Sequence, residues 1–113
     1  MNFNEYQYEA TKTGDYPEMG GNLIYPALGL AGEAGETVDK IKKFWRNLGI
    51  KSGKELNDEQ INSLMLEIGD VLWYCAALAQ ELGITLDAVA NANIIKLHDR
   101  QKRGVIKSEG DSR

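Results

Sequence analysis

Two pairs of acidic residues stand out because each pair has the spacing of one helical turn. Glu33 and Glu36 lie in GLAGEAGET, and Glu67 and Asp70 lie in MLEIGDVLWY. Side chains three residues apart on a helix are neighbours, with Cβ atoms about 5 to 6 Å apart. Like charges at this spacing gain nothing from each other, although the acids could instead form a solvated surface. A hard divalent cation would explain them, since Mg²⁺ prefers oxygen ligands.

The first acidic pair is surrounded by glycines, which weaken a helix. Gly29, Gly32 and Gly35 fall within one predicted helix, and each costs about 1 kcal/mol relative to alanine. At 100° per residue, Gly29 and Gly32 lie on the face that carries the two glutamates. We therefore expect another group to approach this face closely. The competing interpretation is a solvated helix face, on which Glu36 pairs with Lys40 at ordinary helical spacing.

Four helices are needed to position these residues, and helix signals far outweigh strand signals. The predicted helices run from Asn2 to about Thr11, from about Leu23 to Leu48, from Asn57 to Gly83 and from Thr85 to Arg103. The third has the clearest start, because Asn57 can cap it and Gln60 completes a capping box. Only one residue separates Gly83 from Thr85, so the last two helices should be antiparallel neighbours. We expect a single helical domain over 1–104 and a polar, mobile tail over 105–113.

Each long helix carries an apolar stripe, which we expect to face the core. On the second helix the stripe comprises Ala27, Leu30, Ala34, Val38, Ile41 and Trp45, and on the third it comprises Ile61, Leu64, Ile68, Leu72, Cys75 and Leu82. The acidic pairs lie on other faces of the same helices, and Tyr74 shares the face of Glu67 and Asp70.

The last helix places polar residues within its apolar stripe. The stripe comprises Leu86, Val89, Ala90 and Leu97. Asn93 and Arg100 lie within it, and Lys96 lies on its border. Polar groups that face inward need partners, which a structural hydrogen-bond network or snorkelling side chains could also provide. Together, an amide and two cations that face a carboxylate cluster suit a metal-complexed phosphate.

The composition excludes several classes of partner. The chain has 113 residues, a net charge of −4 and a pI near 5.0, so it has no general attraction for nucleic acid polymers or anionic membranes. Its single cysteine, Cys75, cannot form an internal disulfide, which fits a reducing cytoplasm. The N-terminus lacks the features of a signal peptide, and we expect no segment apolar and long enough to span a membrane.

These residues give the chain a resemblance to a known family. It resembles the MazG-type nucleoside triphosphate pyrophosphohydrolases of the all-α NTP pyrophosphatase group, whose metal motif is E-x-x-E followed by E-x-x-D. The strings YPALGLAGEAGE, EIGDVLWY, NANIIKLHDRQKRG and EYQYEATKTGDYP all look like this family. One departure is the 30-residue spacer between Glu36 and Glu67, slightly longer than usual, whose excess we assign to the loop GIKSGKELN.

The resemblance implies a fold, a reaction and a set of residue roles. The fold would be a four-helix-bundle-like MazG-type domain with a short N-terminal helix, assembled as a homodimer or homotetramer. The reaction would be hydrolysis of a (d)NTP between its α and β phosphates. Mg²⁺, with Mn²⁺ as a substitute, would be held by the four acids, one of which would act as general base. The substrate would be bound by Tyr74, Asn93, Lys96 and Arg100.

Other chemistries fit less well. A di-iron carboxylate bundle needs two E-x-x-H motifs, whereas the single histidine, His98, follows Ile95 at that spacing. The glycine-rich stretch has no G-x-x-x-x-G-K-[ST] pattern after a strand and is therefore not a phosphate-binding P-loop. The remaining alternative is a non-catalytic helical module that oligomerises or senses nucleotides.

Overall fold

The described part of the protein folds into four α-helices. A computed structural model describes residues 1–104, and their helices are α1 (Phe3–Thr11), α2 (Ile24–Leu48), α3 (Asp58–Glu81) and α4 (Leu86–Lys102), with a short 3-10 helix (Gly53–Glu55) between α2 and α3. No strand occurs in this described part. The expected all-α fold with a short first helix is therefore confirmed. The tail predicted over 105–113 lies outside the described residues.

The helix ends lie where capping residues place them. The Asn57 side chain accepts a hydrogen bond from the Gln60 backbone N–H at 2.8 Å, and the Gln60 side chain accepts one from the Asn57 N–H at 2.9 Å. Gly49 ends α2 with a φ of 70°, a left-handed conformation that favours glycine. Thr85 caps α4 by accepting from Ala88 N–H at 3.1 Å. Local chemistry thus sets these boundaries.

The helices α2 and α3 form the antiparallel pair at the centre of the fold. Just before α2, the Asn22 N–H donates to the Glu81 carboxylate at 3.0 Å, near the end of α3. In the second half of α2, the Lys40 ammonium donates to the Ser63 hydroxyl at 2.9 Å, near the start of α3. The start of α2 therefore lies beside the end of α3, and the second half of α2 lies beside the start of α3. This arrangement brings the two acidic pairs to the same level.

The apolar stripes of α2 and α3 are largely exposed in a single chain. Their exposed members include Val38, Ile41 and Trp45 on α2 and Ile61, Ile68 and Leu82 on α3, all between 46% and 64% exposed. The prediction that these residues face the core of one chain is therefore wrong. The two helices instead contact each other through the faces that carry the acids. Apolar residues at helical spacing show that one face of a helix must be covered, but they do not show which surface covers it.

Both exposed stripes lie on the same side of the α2–α3 pair. The stripe is rotated from the face that contacts the other helix by about 100° on α2 and by about 120° on α3, in the same sense along both helices. For an antiparallel pair, rotations in the same sense bring the two stripes to one side. The radius of gyration is 16.7 Å, whereas about 13 Å is expected for a compact chain of this length. The described chain is thus an open structure with one broad apolar side.

By length and composition, α3 could cross a membrane. It has 24 residues and a mean hydropathy of 1.2 in its most apolar window, so the expectation that no segment meets these criteria is wrong. However, Glu67 and Asp70 lie in the middle of this helix, where a bilayer would impose a large cost on them. The helix also packs against both α1 and α2. We interpret α3 as the central helix of the fold.

A buried glutamine joins α1 to the turn between α3 and α4. The Gln7 side chain is 5% exposed, and its amide nitrogen donates to the carbonyls of Ala76 at 3.3 Å and Ile84 at 3.2 Å. Its amide oxygen accepts from the Leu86 N–H at 2.9 Å. Every strong hydrogen-bonding group of this side chain is used, which is what burial of an amide requires. This residue fixes the position at which α4 begins.

Beyond its first turn, α4 packs less than expected. The tight turn between Gly83 and Thr85 is present, and the Asp87 N–H is bound by the Asn4 side chain at 3.2 Å. However, α4 contacts α3 much less extensively than α2 does. The expectation that α3 and α4 pack as antiparallel neighbours therefore holds for the turn and not for the length of the helices.

Glu81 anchors the loop that leads into α2. Its carboxylate accepts hydrogen bonds from the Tyr16 hydroxyl, from the Gly20 N–H at 2.8 Å and from the Asn22 N–H at 3.0 Å. These bonds, that of Tyr16 first, lower the pKa of the Glu81 carboxyl. The Tyr16 ring stacks on Tyr25 with centroids 4.9 Å apart. The loop is thus held against the start of α2.

Candidate functional site

Three carboxylates converge where α2 faces α3. Glu33 comes from α2, whereas Glu67 and Asp70 come from α3, and one carboxylate oxygen from each lies within 4.8 Å of the others. We call these three residues the carboxylate trio. Glu33 and Glu67 are half-buried and Asp70 is exposed. The trio is therefore open to solvent on one side and enclosed by the two helices on the other.

The trio carries more negative charge than its surroundings balance. The Oε2 atoms of Glu33 and Glu67 are buried and have no hydrogen-bond partner. Burial, followed by the nearby charges of Glu36, Asp70 and Glu67, raises the pKa of the Glu33 carboxyl. A bound cation would give the unpaired oxygens a partner and would offset the repulsion between the carboxylates. Three converging carboxylates, two of which have an unpaired buried oxygen, are a suitable ligand set for Mg²⁺ or Mn²⁺.

The fourth predicted acid lies beside the trio. Glu36 is exposed and is close enough to Glu33 to contribute to the raised pKa of that carboxyl. Its oxygens are not among those that converge within 4.8 Å. The structure thus brings three of the four predicted acids together and places the fourth at their margin.

Lys40 also belongs to this site, although the sequence interpretation paired it with Glu36. Its ammonium lies 2.9 Å from Glu67 Oε1, on the other helix. A signal for this placement was available, since Lys40 follows Glu33 by two helical turns and so shares its face. The i, i+4 spacing favoured Glu36 as the partner of Lys40, whereas in the structure Lys40 contacts Glu67 on the other helix.

A cavity of about 340 Å³ opens beside the trio. Its lining residues are Thr13, Glu33, Asp70, Trp73 and Tyr74. The Trp73 indole N–H donates to the Ala10 carbonyl and to the Thr13 hydroxyl, both at 3.0 Å, so this side chain packs α1 against α3. Tyr74 meets the Trp73 ring edge to face, with centroids 5.0 Å apart. Two acids and an aromatic wall therefore share one cavity.

Gly29 provides the space that Tyr74 occupies. A Cβ atom on Gly29 would lie 2.1 Å from the Tyr74 ring, which no real contact tolerates. Burial is the main factor that raises the pKa of the Tyr74 hydroxyl. The expectation of a close approach is thus confirmed at this glycine. At Gly32 and Gly35, a Cβ would meet no described atom within 4 Å, so no such contact explains those two residues.

Two glycine substitutions should therefore have opposite effects. Gly29→Ala forces Tyr74 or the helix to move, and we expect a loss of about 1–3 kcal/mol in the free energy of unfolding. Gly32→Ala fills open space within a helix and should raise that free energy by up to about 1 kcal/mol. Chemical denaturation of both variants measures the difference. Equal effects of the two substitutions would contradict the assigned role of Gly29.

Of the three polar residues predicted on α4, Arg100 is buried as expected, whereas Asn93 and Lys96 are in a different place from the one expected. Asn93 and Lys96 are exposed and border a separate groove of about 400 Å³, formed with Ile84, Ala88, Val89 and Ala92. Arg100 is only 4% exposed. Within the described chain, the groove with Asn93 and Lys96 shares no lining residue with the cavity beside the trio. The sequence showed that these groups share a helix face, and it could not show which surface that face meets.

Comparison with known proteins agrees with the chemistry of this site. The family model for the MazG nucleotide pyrophosphohydrolase domain matches residues 26–105. The chain is also 41% identical, over 118 aligned residues that cover both proteins completely, to the Gene 37 protein of Mycobacterium phage L5. No solved structure gives a significant match. The matched segment includes the trio, Glu36 and the predicted polar residues of α4.

Proposed function

Since the chain belongs to the MazG nucleotide pyrophosphohydrolase family, we propose that it hydrolyses a (d)NTP between the α and β phosphates, giving a nucleoside monophosphate and pyrophosphate. The observation that carries this proposal is the carboxylate trio, in which two buried oxygens lack partners. Such a cluster is costly in the free protein and becomes favourable once a cation binds it.

The trio would hold the metal ion. Glu33, Glu67 and Asp70 provide the ligands for Mg²⁺ or Mn²⁺, and Glu36 lies close enough to Glu33 to join them. When bound, the metal would neutralise phosphate charge and make water more acidic. A carboxylate of this group that does not bind the metal would accept the proton of the attacking water.

The cavity beside the trio would receive the nucleoside portion of the substrate. Tyr74 lines it with its ring held against Gly29, next to Asp70. A ring that is held in place loses little conformational freedom on binding, so Tyr74 can orient a sugar or a base. Trp73 forms the neighbouring wall while it keeps its hydrogen bond to Ala10 of α1.

The phosphate-binding residues of α4 would reach the trio through an assembly. In one chain, Asn93 and Lys96 line a groove away from the carboxylates, and the broad apolar side of the α2–α3 pair is uncovered. A second copy can cover this side, since identical stripes are complementary across a two-fold axis. We therefore propose a homodimer or homotetramer, in which α4 of one copy brings the exposed Asn93 and Lys96 to the site of another.

A substrate screen tests this function. Canonical and modified (d)NTPs are incubated with the protein, and pyrophosphate is measured with Mg²⁺, with Mn²⁺ and with a chelator. At least one nucleotide should release pyrophosphate and the matching monophosphate in the presence of metal only. Release of inorganic phosphate alone, or no turnover of any nucleotide, would contradict the proposed reaction.

A further inference from the structure

Lys40 places a positive charge against the carboxylate trio. Its ammonium lies 2.9 Å from Glu67 Oε1 and 2.9 Å from the Ser63 hydroxyl. The Glu67 side chain is only 15% exposed, whereas that of Lys40 is 39% exposed. The charged end of Lys40 thus reaches from α2 to α3, where it contacts Glu67, the less exposed residue of the pair. Sheltered ion pairs are screened less by solvent than surface pairs.

This contact differs from the other lysine contacts on α2. Lys42 and Lys43 both pair with Asp39, at 2.9 and 2.8 Å, within their own helix. These are ordinary surface pairs at i, i+3 and i, i+4, which contribute little. Lys40 instead neutralises an acid of the trio on the neighbouring helix. It is therefore positioned to affect cation binding, whereas Lys42 and Lys43 are not.

Lys40 and a divalent cation would compete for the same carboxylate. Glu67 Oε1 is engaged by the ammonium, and the other oxygen of Glu67 is buried without a partner. A metal ion that used this residue would lie a few ångströms from the ammonium, and two cations at that distance repel strongly where solvent screening is weak. Hence the ammonium must withdraw from Glu67 when the metal is held.

Resting on the proposed function, we propose that Lys40 is a positioning residue that substitutes for the divalent cation. Without metal, it holds Glu67 in place and offsets the charge of the trio. When the metal binds, it releases Glu67 and remains tethered nearby on α2. The protein can therefore keep its carboxylates together before metal binds, and the cost is a weaker affinity for the metal.

Metal titration of the free protein tests this role. Binding of Mg²⁺ and Mn²⁺, without nucleotide, is measured by calorimetry for the wild type, Lys40→Met, Lys40→Arg and the matched control Lys42→Met. We expect Lys40→Met to bind the metal roughly five- to twentyfold more tightly, because the competing charge is gone. Lys40→Arg and Lys42→Met should resemble the wild type. Equal or weaker binding by Lys40→Met would overturn the proposal.

Thermal unfolding provides a second readout. Without metal, Lys40→Met should unfold at a lower temperature than the wild type, and saturating Mg²⁺ should remove the difference. A difference that persists unchanged in Mg²⁺ would show a purely structural residue. If Lys40→Met does not fold without metal, Lys40→Gln replaces it, since this change removes the competing charge and keeps a side chain that can hydrogen-bond to Ser63. A roughly five- to twentyfold tighter affinity is then expected, and an unchanged affinity would overturn the proposal.

The same titration separates this inference from the proposed function. If the wild type binds no divalent cation, the proposed metal centre itself fails. If the wild type binds metal and Glu67→Gln does not, the metal centre stands. In that case the comparison of Lys40→Met with the wild type decides the role of Lys40 alone.

Discussion

Asp70→Asn is expected to lower the rate of pyrophosphate release by about a thousandfold, since a proposed metal ligand and its charge are both lost. Asp70 belongs to the carboxylate trio and is exposed, so the amide can be accommodated without disturbing the packing of α3. The loss should therefore appear in kcat while the helical circular dichroism signal is retained. Steady-state pyrophosphate release and calorimetric Mg²⁺ binding measure the two consequences.

The matched control for this change is Asp39→Asn. It makes the same chemical substitution on α2, where the carboxylate pairs with Lys42 and Lys43 away from the trio. These pairs lower the pKa of Asp39 to about 2, so the residue is charged at neutral pH in both the folded and unfolded protein. Activity of this variant should remain within about twofold of the wild type. If Asp70→Asn kept a tenth of the wild-type rate or more, the assignment of the trio would be wrong.

Ile68→Glu is expected to dissociate the proposed homo-oligomer into single chains. Ile68 is 57% exposed in one chain and lies on the apolar stripe of α3 that a second copy would cover. A carboxylate buried there without a partner costs several kcal/mol, and a symmetric interface incurs this cost more than once. Light scattering should show the mass falling to that of one chain, 12.6 kDa, and thermal stability should fall with it.

Asn62→Glu provides the comparison for the assembly. Asn62 is exposed on α3, about 120° around the helix from Ile68, and it receives the same new charge. The mass of this variant should equal that of the wild type. A wild type that is already monomeric, or an Ile68→Glu variant with unchanged mass, would contradict an interface on the apolar side of the α2–α3 pair.

The helix boundaries could be predicted from the sequence because their causes are local. The capping box of Asn57 with Gln60, and the left-handed Gly49, involve only neighbours along the chain. The convergence of the acids was also accessible, since equal spacing on two long helices allows their faces to meet. Family resemblance added the reaction, which spacing alone does not contain.

The sequence of one chain could not show which surface each helix face contacts. The stripe that includes Val38 and Trp45 has the pattern of a core stripe, yet both residues are exposed. Helical periodicity does not distinguish burial within a chain from burial by another copy. The helix face of Lys40 could be inferred from its spacing to Glu33, but its contact with Glu67 was missed because the partner on the other helix depends on how the two helices are aligned. The position of Asn93 and Lys96 depends on the direction of α4, which the turn at Gly83 does not fix.

The connection between α2 and α3 has a consequence for engineering this protein. It includes the short 3-10 helix Gly53–Glu55 and begins at Gly49, about 20 Å along α2 from Glu36. The alignment of the helices is set by contacts such as that of Lys40 with Ser63, and not by the length of this connection. A reporter peptide inserted there would lengthen the connection between α2 and α3 and leave the geometry of the carboxylate trio unchanged. The same freedom should allow residues to be added or removed at this point without displacing the carboxylate trio.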